Sequence, residues 1–167
     1  DCAPCATGND VTVDVNATWL GYVVAFNVAD GSYATDFGKP VAELKSTIGT
    51  DNITLQPNFL LYDATDAFWS NGAIGNKIVE CSTFVEPGIT ANGIPLTFSG
   101  KVDSNTLGND ALGNPYEAKF FIKALNPAAD FSDALNGSKV LDLPASGEFT
   151  VSATGAELAA GLIVQYG

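Results

Sequence analysis

The sequence predicts an all-β protein, an antiparallel β-sandwich of the jelly-roll or Greek-key kind with about ten short strands. Three observations predict it. Apolar and polar residues alternate with a period of two in segment after segment, clusters of Gly, Asn, Asp and Pro separate those segments, and no helical pattern alternates with them. With 167 residues, 46% of them hydrophobic, the chain can bury a sizeable core. It is expected to form one domain, with residues 1–10 as an N-terminal arm. Composition does not shift along the chain, and no linker, low-complexity segment or internal repeat interrupts it.

The first strand signal is the clearest. Val11, Val13, Val15 and Ala17 alternate with Thr12, Asp14, Asn16 and Thr18, which gives one dry face and one wet face. Further strands are expected over residues 19–28, 41–48, 52–55, 59–63, 77–85, 95–102, 116–125, 147–153 and 162–166. Turn clusters lie between them at Ala29-Asp30-Gly31-Ser32, Asn71-Gly72, Glu86-Pro87-Gly88, Asn92-Gly93, Gly108-Asn109-Asp110 and Gly113-Asn114-Pro115. In the 116–125 segment Tyr116, Ala118, Phe120, Ile122 and Ala124 share one face. Phe121 and Leu125 break the polar face opposite, which points to a second contact surface. Only residues 154–160 read as helical, one or two turns at most, because Thr154 and Glu157 stand at capping-box spacing before a short apolar run.

Charge and composition exclude more than they establish. Nineteen acids oppose seven bases, for a net charge of -12, and all seven bases are lysines; Arg, His and Met are absent. Without His there is no imidazole base, no Ser/His/Asp or Cys/His pair and no His-containing zinc site. Without Arg there is no bidentate grip on phosphate, and a strongly negative chain is repelled by nucleic acid and anionic membranes. No nucleic-acid partner and no membrane insertion are expected. The longest uncharged stretch, residues 15–29, contains Asn16, Gly21 and Asn27 and is shorter than the roughly 20 apolar residues of a spanning helix. The absence of Met makes Asp1 read as a processed end, as after signal-peptide cleavage, and Cys2 stands second where a lipid anchor needs the first position. The protein is expected to be secreted, extracellular or at the cell surface.

Three cysteines, Cys2, Cys5 and Cys81, fit an oxidising compartment and leave an odd thiol. Cys2-Ala-Pro-Cys5 has redox spacing but lacks the βαβ setting that activates such a thiol. Cys81 reads as a buried structural cysteine on the face shared by Val79, Thr83 and Val85. The preferred pairing joins Cys81 to Cys2 or Cys5 and staples the arm to the sheet. A free, intersubunit or locally closed third cysteine stays open.

Calcium is the one cofactor the sequence raises. Asp103-Ser104-Asn105-Thr106-Leu107-Gly108 opens like a calcium loop, but Leu107 replaces the third side-chain ligand and Asn114 stands where a bidentate Glu is required. An EF-hand is excluded. A looser site is expected on Asp103, Asn105 and Asp110, with Asn109 beside them; Asp63 with Asp66 and Asp130 with Asp133 are weaker versions. Thirteen Asp and six Glu spread over loops make some carboxylate pair inevitable, so glycosidase chemistry ranks behind the non-enzymatic readings and no catalytic residue is assigned. Tyr62, Phe68 and Trp69 lie in a polar loop rimmed by Asp and Asn, where they could stack on a sugar or close the end of the sandwich. Sequons at Asn16, Asn52 and Asn136 are too few to stand out in a chain rich in Asn, Ser and Thr.

Gly75-Asn76-Lys77, the run Leu96-Thr97-Phe98-Ser99-Gly100-Lys101-Val102-Asp103-Ser104-Asn105-Thr106-Leu107, Ala118-Lys119-Phe120-Phe121-Ile122-Lys123, and Val164-Gln165-Tyr166-Gly167 resemble a group of secreted bacterial β-proteins that often carry a C-terminal surface-sorting tail. The resemblance covers roughly residues 10–167. It implies export and an all-β fold, and it carries no activity. Members of the group run on by a further strand past the position of Gly167, which implies a sandwich here that lacks an edge strand. Such a sandwich offers unpaired backbone to a strand from a neighbour, and the arm with Val11, Val13 and Val15 on one face has the pattern of a donor. Two functions are therefore expected from different classes. The first is a secreted structural subunit that self-assembles with copies of itself into a fibre or surface layer, by strand exchange and with calcium at the joints. The alternative is a carbohydrate-binding module that holds polysaccharide on Tyr62, Phe68 and Trp69.

Overall fold

The computed structural model describes residues 8–58, 60–72, 74–87 and 92–167, so Cys2, Cys5 and most of the expected arm lie outside the described residues. The fold is all-β with large antiparallel sheets. In chain order the strands are β1 (Asn9–Thr12), β2 (Trp19–Asn27), β3 (Tyr33–Gly38), β4 (Thr47–Ile48), β5 (Ile53–Thr54), β6 (Ser70–Asn71), β7 (Ile74–Gly75), β8 (Lys77–Val85), β9 (Leu96–Val102), β10 (Lys119–Asn126), β11 (Ser132–Asp133), β12 (Val140–Asp142), β13 (Gly147–Ala153) and β14 (Ile163–Tyr166). Contacts divide the chain into two compact units: Asp1–Asp14 with Val85–Gly167, and Val15–Phe84.

The first unit is a two-layer sandwich. One layer has the order β1-β9-β13; β9 and β13 are antiparallel over seven residues, whereas β1 runs parallel to β9. The other layer centres on β10, which pairs with β14 over Ile122–Leu125 and with β12 and β11 elsewhere along its length. Val85, the last residue of β8, pairs with Tyr166. Period-two patterning drives the layers together. Phe98 of β9 is 1% exposed and stacks against Tyr166 of β14 at 5.1 Å, while Phe120 of β10 meets Phe149 of β13 at 4.6 Å. Each such ring removed from water contributes about 1.5–3 kcal/mol. Gly100 makes room for this packing: a Cβ there would fall 2.6 Å from the Phe149 ring and 2.8 Å from Val13 Cγ2.

The second unit is organised around β2, flanked by β3 and β8. β2 and β3 form an antiparallel hairpin whose turn at 29–32 is the one expected, with Gly31 at φ +71° and Asp30 accepting from the Ser32 N–H and hydroxyl. Leu44, fully buried, packs beneath Gly21, where a Cβ would collide with Lys39 O and Leu44 Cδ1. Ser46 and Thr83, both buried, satisfy each other through a 2.7 Å hydroxyl bond.

Several expectations need correction. Residues 41–48 were expected to be a strand. Pro40 and the left-handed Lys45 (φ 62°) instead bracket a 3₁₀ turn at Val41–Leu44, and only Thr47–Ile48 is extended. Among the described residues of 59–63 no strand forms, because Asn58 Oδ1 turns the chain by accepting from the N–H groups of Leu60 and Leu61. The capping box at 154–157 forms, with Thr154 and Glu157 bonded reciprocally, but it closes a single turn through Leu158 N–H to Thr154 O and no helix follows. Gly161, at φ +96°, sits at the apolar run's end. Among the described residues no helix is long and apolar enough to cross a membrane.

Candidate functional site

The first unit has an apolar groove alongside β1. Val11, Ile94, Leu96, Leu158, Val164 and Tyr166 line it, with Asn9, Asp10 and Asn92 beside them, and its volume is about 280 Å³, open to solvent. Local sequence explains each wall. Val11 faces inward because β1 alternates; Leu158 is delivered by the capped turn at Thr154; Val164 and Tyr166 are the inward positions of β14. The Tyr166 phenol is pushed above its ordinary value by burial and by the nearby Asp14 carboxylate, so it stays neutral and serves as a wall. At the rim, Gln165 donates to Glu86 Oε2 at 2.8 Å.

β1 borders this groove. Asn9, Asp10, Val11 and Thr12 pair with Leu96, Thr97, Phe98 and Ser99, the Asn9 N–H bonds Pro95 O at 2.9 Å, and the Val13 N–H bonds Ser99 O at 3.3 Å. The expected donor residues are therefore divided. Val11 lies in the strand and Val13 follows it against Gly100, whereas Val15 begins the turn that enters the second unit. The burial alternation nevertheless continues through the turn: Val13, Val15 and Ala17 are half-buried, and Asp14, Asn16 and Thr18 are exposed. Sequence reasoning found β1 but missed Ile94, Leu158 and Val164 as groove residues. The available signal was the period-two pattern of 162–166 combined with the capping box, which gives faces without saying which faces meet.

The expected calcium residues already have protein partners. Asp103 pairs with Lys101 at 3.6 Å, and Asn105 Oδ1 accepts from the Leu107 N–H. Asp110 closes its own turn, accepting from the Asn114 side chain and from the N–H groups of Asn114 and Leu112; the Asn114 side-chain bond is the main cause holding its carboxyl below the usual carboxylate range. Asn109 forms an isolated bridge with Pro115. Among the described residues no group of three or more His, Cys, Asp or Glu side chains is placed to hold a metal ion.

In the second unit, Phe68 and Trp69 meet edge to face, centroids 4.9 Å apart and planes at 86°. The Lys77 ammonium covers Phe68 at 4.5 Å, and Tyr62 lies over Gly75. Asp63 and Asp66 cap the loop from within, and Asn71-Gly72 turns the β6-β7 hairpin. Tyr62 and Phe68 are exposed, while Trp69 is half-buried beside them.

Cys81 was read as buried. It is an exposed free thiol: β8 is buried only at its end, Thr83 to Val85, whereas Ile78, Glu80 and Cys81 are exposed and Lys77, Val79 and Ser82 half-buried. The sulfur itself is desolvated enough to push the thiol above its ordinary value, against a weaker opposing bond with Asn58, so it is not an activated nucleophile. No family model, curated protein or solved structure matches this chain.

Proposed function

We propose that the chain is an exported structural subunit that assembles with copies of itself into an extracellular fibre or surface layer. The observation that carries this reading is the apolar groove beside β1. It is lined by β1 and the first residue of β9, and β1 is an outer strand of its three-stranded sheet, with β9 as its one strand partner among the described residues. Open strand edges beside an apolar trough are a template for another strand: main-chain bonds supply affinity and the trough takes alternate side chains. Calcium at the joints, drawing on Asp103, Asn105 and Asp110, would relieve the repulsion between copies that each carry -12.

The test is light scattering and negative-stain microscopy of the full chain across concentration, with calcium and with chelator at fixed ionic strength. Fibres or sheets are expected. A monomer at every concentration in both buffers overturns the reading, while equal assembly in the two buffers removes only the calcium.

A further inference from the structure

We infer that β1 is the strand exchanged between copies: the β1 of one copy takes the place beside β9 of the next, in the parallel register seen within one chain. The inference rests on the self-assembly reading and names the segment and the hinge.

The seat already shows which sequence fits it. Asn9 to Thr12 lie against Leu96 to Ser99 with Val11 inward beside Phe98, and a second copy carries the same strand. Connectivity makes the exchange available. β1 packs in the unit formed by Asp1–Asp14 and Val85–Gly167, yet its covalent path to β9 runs through the whole of Val15–Phe84. Because the contacts made by an identical strand are the same in cis and in trans, the two states differ mainly in hinge conformation and concentration. The pairing covers four residues and is parallel, the less stable kind per residue, so releasing it costs little compared with unzipping β9 from β13.

The hinge carries the second, independent observation. Val15 and Asn16 form a turn between β1 and β2, but side chains from Val11 to Thr18 alternate in burial with a period of two, the pattern of one continuous strand. Neither Gly nor Pro occurs from 13 to 18, so no residue there depends on a left-handed φ or on the fixed φ of proline. Straightening 13–18 would run β1 on toward β2 and carry β1 outward by up to about 3.3–3.6 Å per residue, which is the geometry of a swapped strand.

The test uses full-length chains with Cys2, Cys5 and Cys81 changed to Ser. One chain then carries Asp10→Cys and the other Thr97→Cys, residues that are direct cross-strand partners. Neighbouring strands lie about 4.8 Å apart, within the span of a disulfide. The doubly substituted chain, which closes on itself as a monomer, verifies the pair; Thr12→Cys with Ser99→Cys serves if it does not. An equimolar mixture of the single variants is assembled, oxidised and denatured without reductant. A covalent pair of two different chains is expected. Assembly without that pair shows that β1 stays at home and leaves the subunit reading standing. No assembly at any concentration ends both.

Discussion

Asp36 of β3 stands between two phenols: Tyr33 donates to it at 2.9 Å, and Tyr22, diagonal to it on β2 two residues from its cross-strand partner Val24, is hydrogen-bonded to it as well. The bond to Asp36, then burial and the carboxylate's charge, push Tyr22 up to about 12, and Tyr33 moves in the same direction. The neutral phenol is the form that the fold favours. Its contribution is therefore fully present below the unfolded value near 10 and is lost as pH rises from 10 to about 12. Melting temperature measured from pH 8 to 12 is expected to fall less steeply for Tyr22→Phe than for the parent, with Tyr33 supplying the remainder. Parallel curves would mean that the Tyr22 bond is not made in solution. Gly21 and Gly100, each inside an expected strand, are points of close approach, by Lys39 O and Leu44 in one case and by Phe149 and Val13 in the other.

At the scale of elements, strands whose own residues carry the pattern were legible, and strands made by their partners were not. The patterns at 77–85 and 147–153 match β8 and β13 end to end, and those for β2, β9, β10 and β14 differ by a few residues. Burial of one face sets the period, so the signal is local. β3 and β12 escaped because their strand character comes from partners: Tyr33-Ala34-Thr35-Asp36-Phe37-Gly38 is extended by pairing with β2, and Val140-Leu141-Asp142 by pairing with β10. The groove was hidden for the same reason, since it is made where β1, β14 and the Leu158 turn converge. The β6-β7 hairpin allows a direct measurement. Trp69 is half-buried against Phe68, its N–H bonds Asp66 O, and its carbonyl accepts from the Asn76 N–H. Trp69→Ala is expected to cost about 1–3 kcal/mol in denaturant unfolding, below the full cost of a buried aromatic. Unchanged stability together with lost retention on a polysaccharide panel would instead support the sugar platform.

For the whole molecule, charge is the largest obstacle to the proposed self-assembly. Lys39, Lys101, Lys119 and Lys139 each pair with acids of their own chain, and Lys77 and Lys123 sit over rings. These contacts leave the total unchanged, and the chain keeps its net -12. Approaching copies repel at long range, while strand pairing and apolar contact act only once they touch. Screening therefore favours assembly: the Debye length shrinks from about 30 Å at 0.01 M to about 10 Å at 0.1 M and about 3 Å at 1 M. Acid works in the same direction by bringing the chain toward its pI of 4.1. The fold tolerates that shift, because Asp110 and Glu157 are held below the usual carboxylate range by their hydrogen bonds; their stabilisation is present above the unfolded value and is lost only as pH falls through the lower folded one. Light scattering is expected to show faster assembly as sodium chloride is raised and again as pH is lowered from 7 toward about 5, where carboxylates begin to take up protons. Slower assembly in salt would show that opposite charges hold the joint, and the apolar groove would then not be the contact that joins copies.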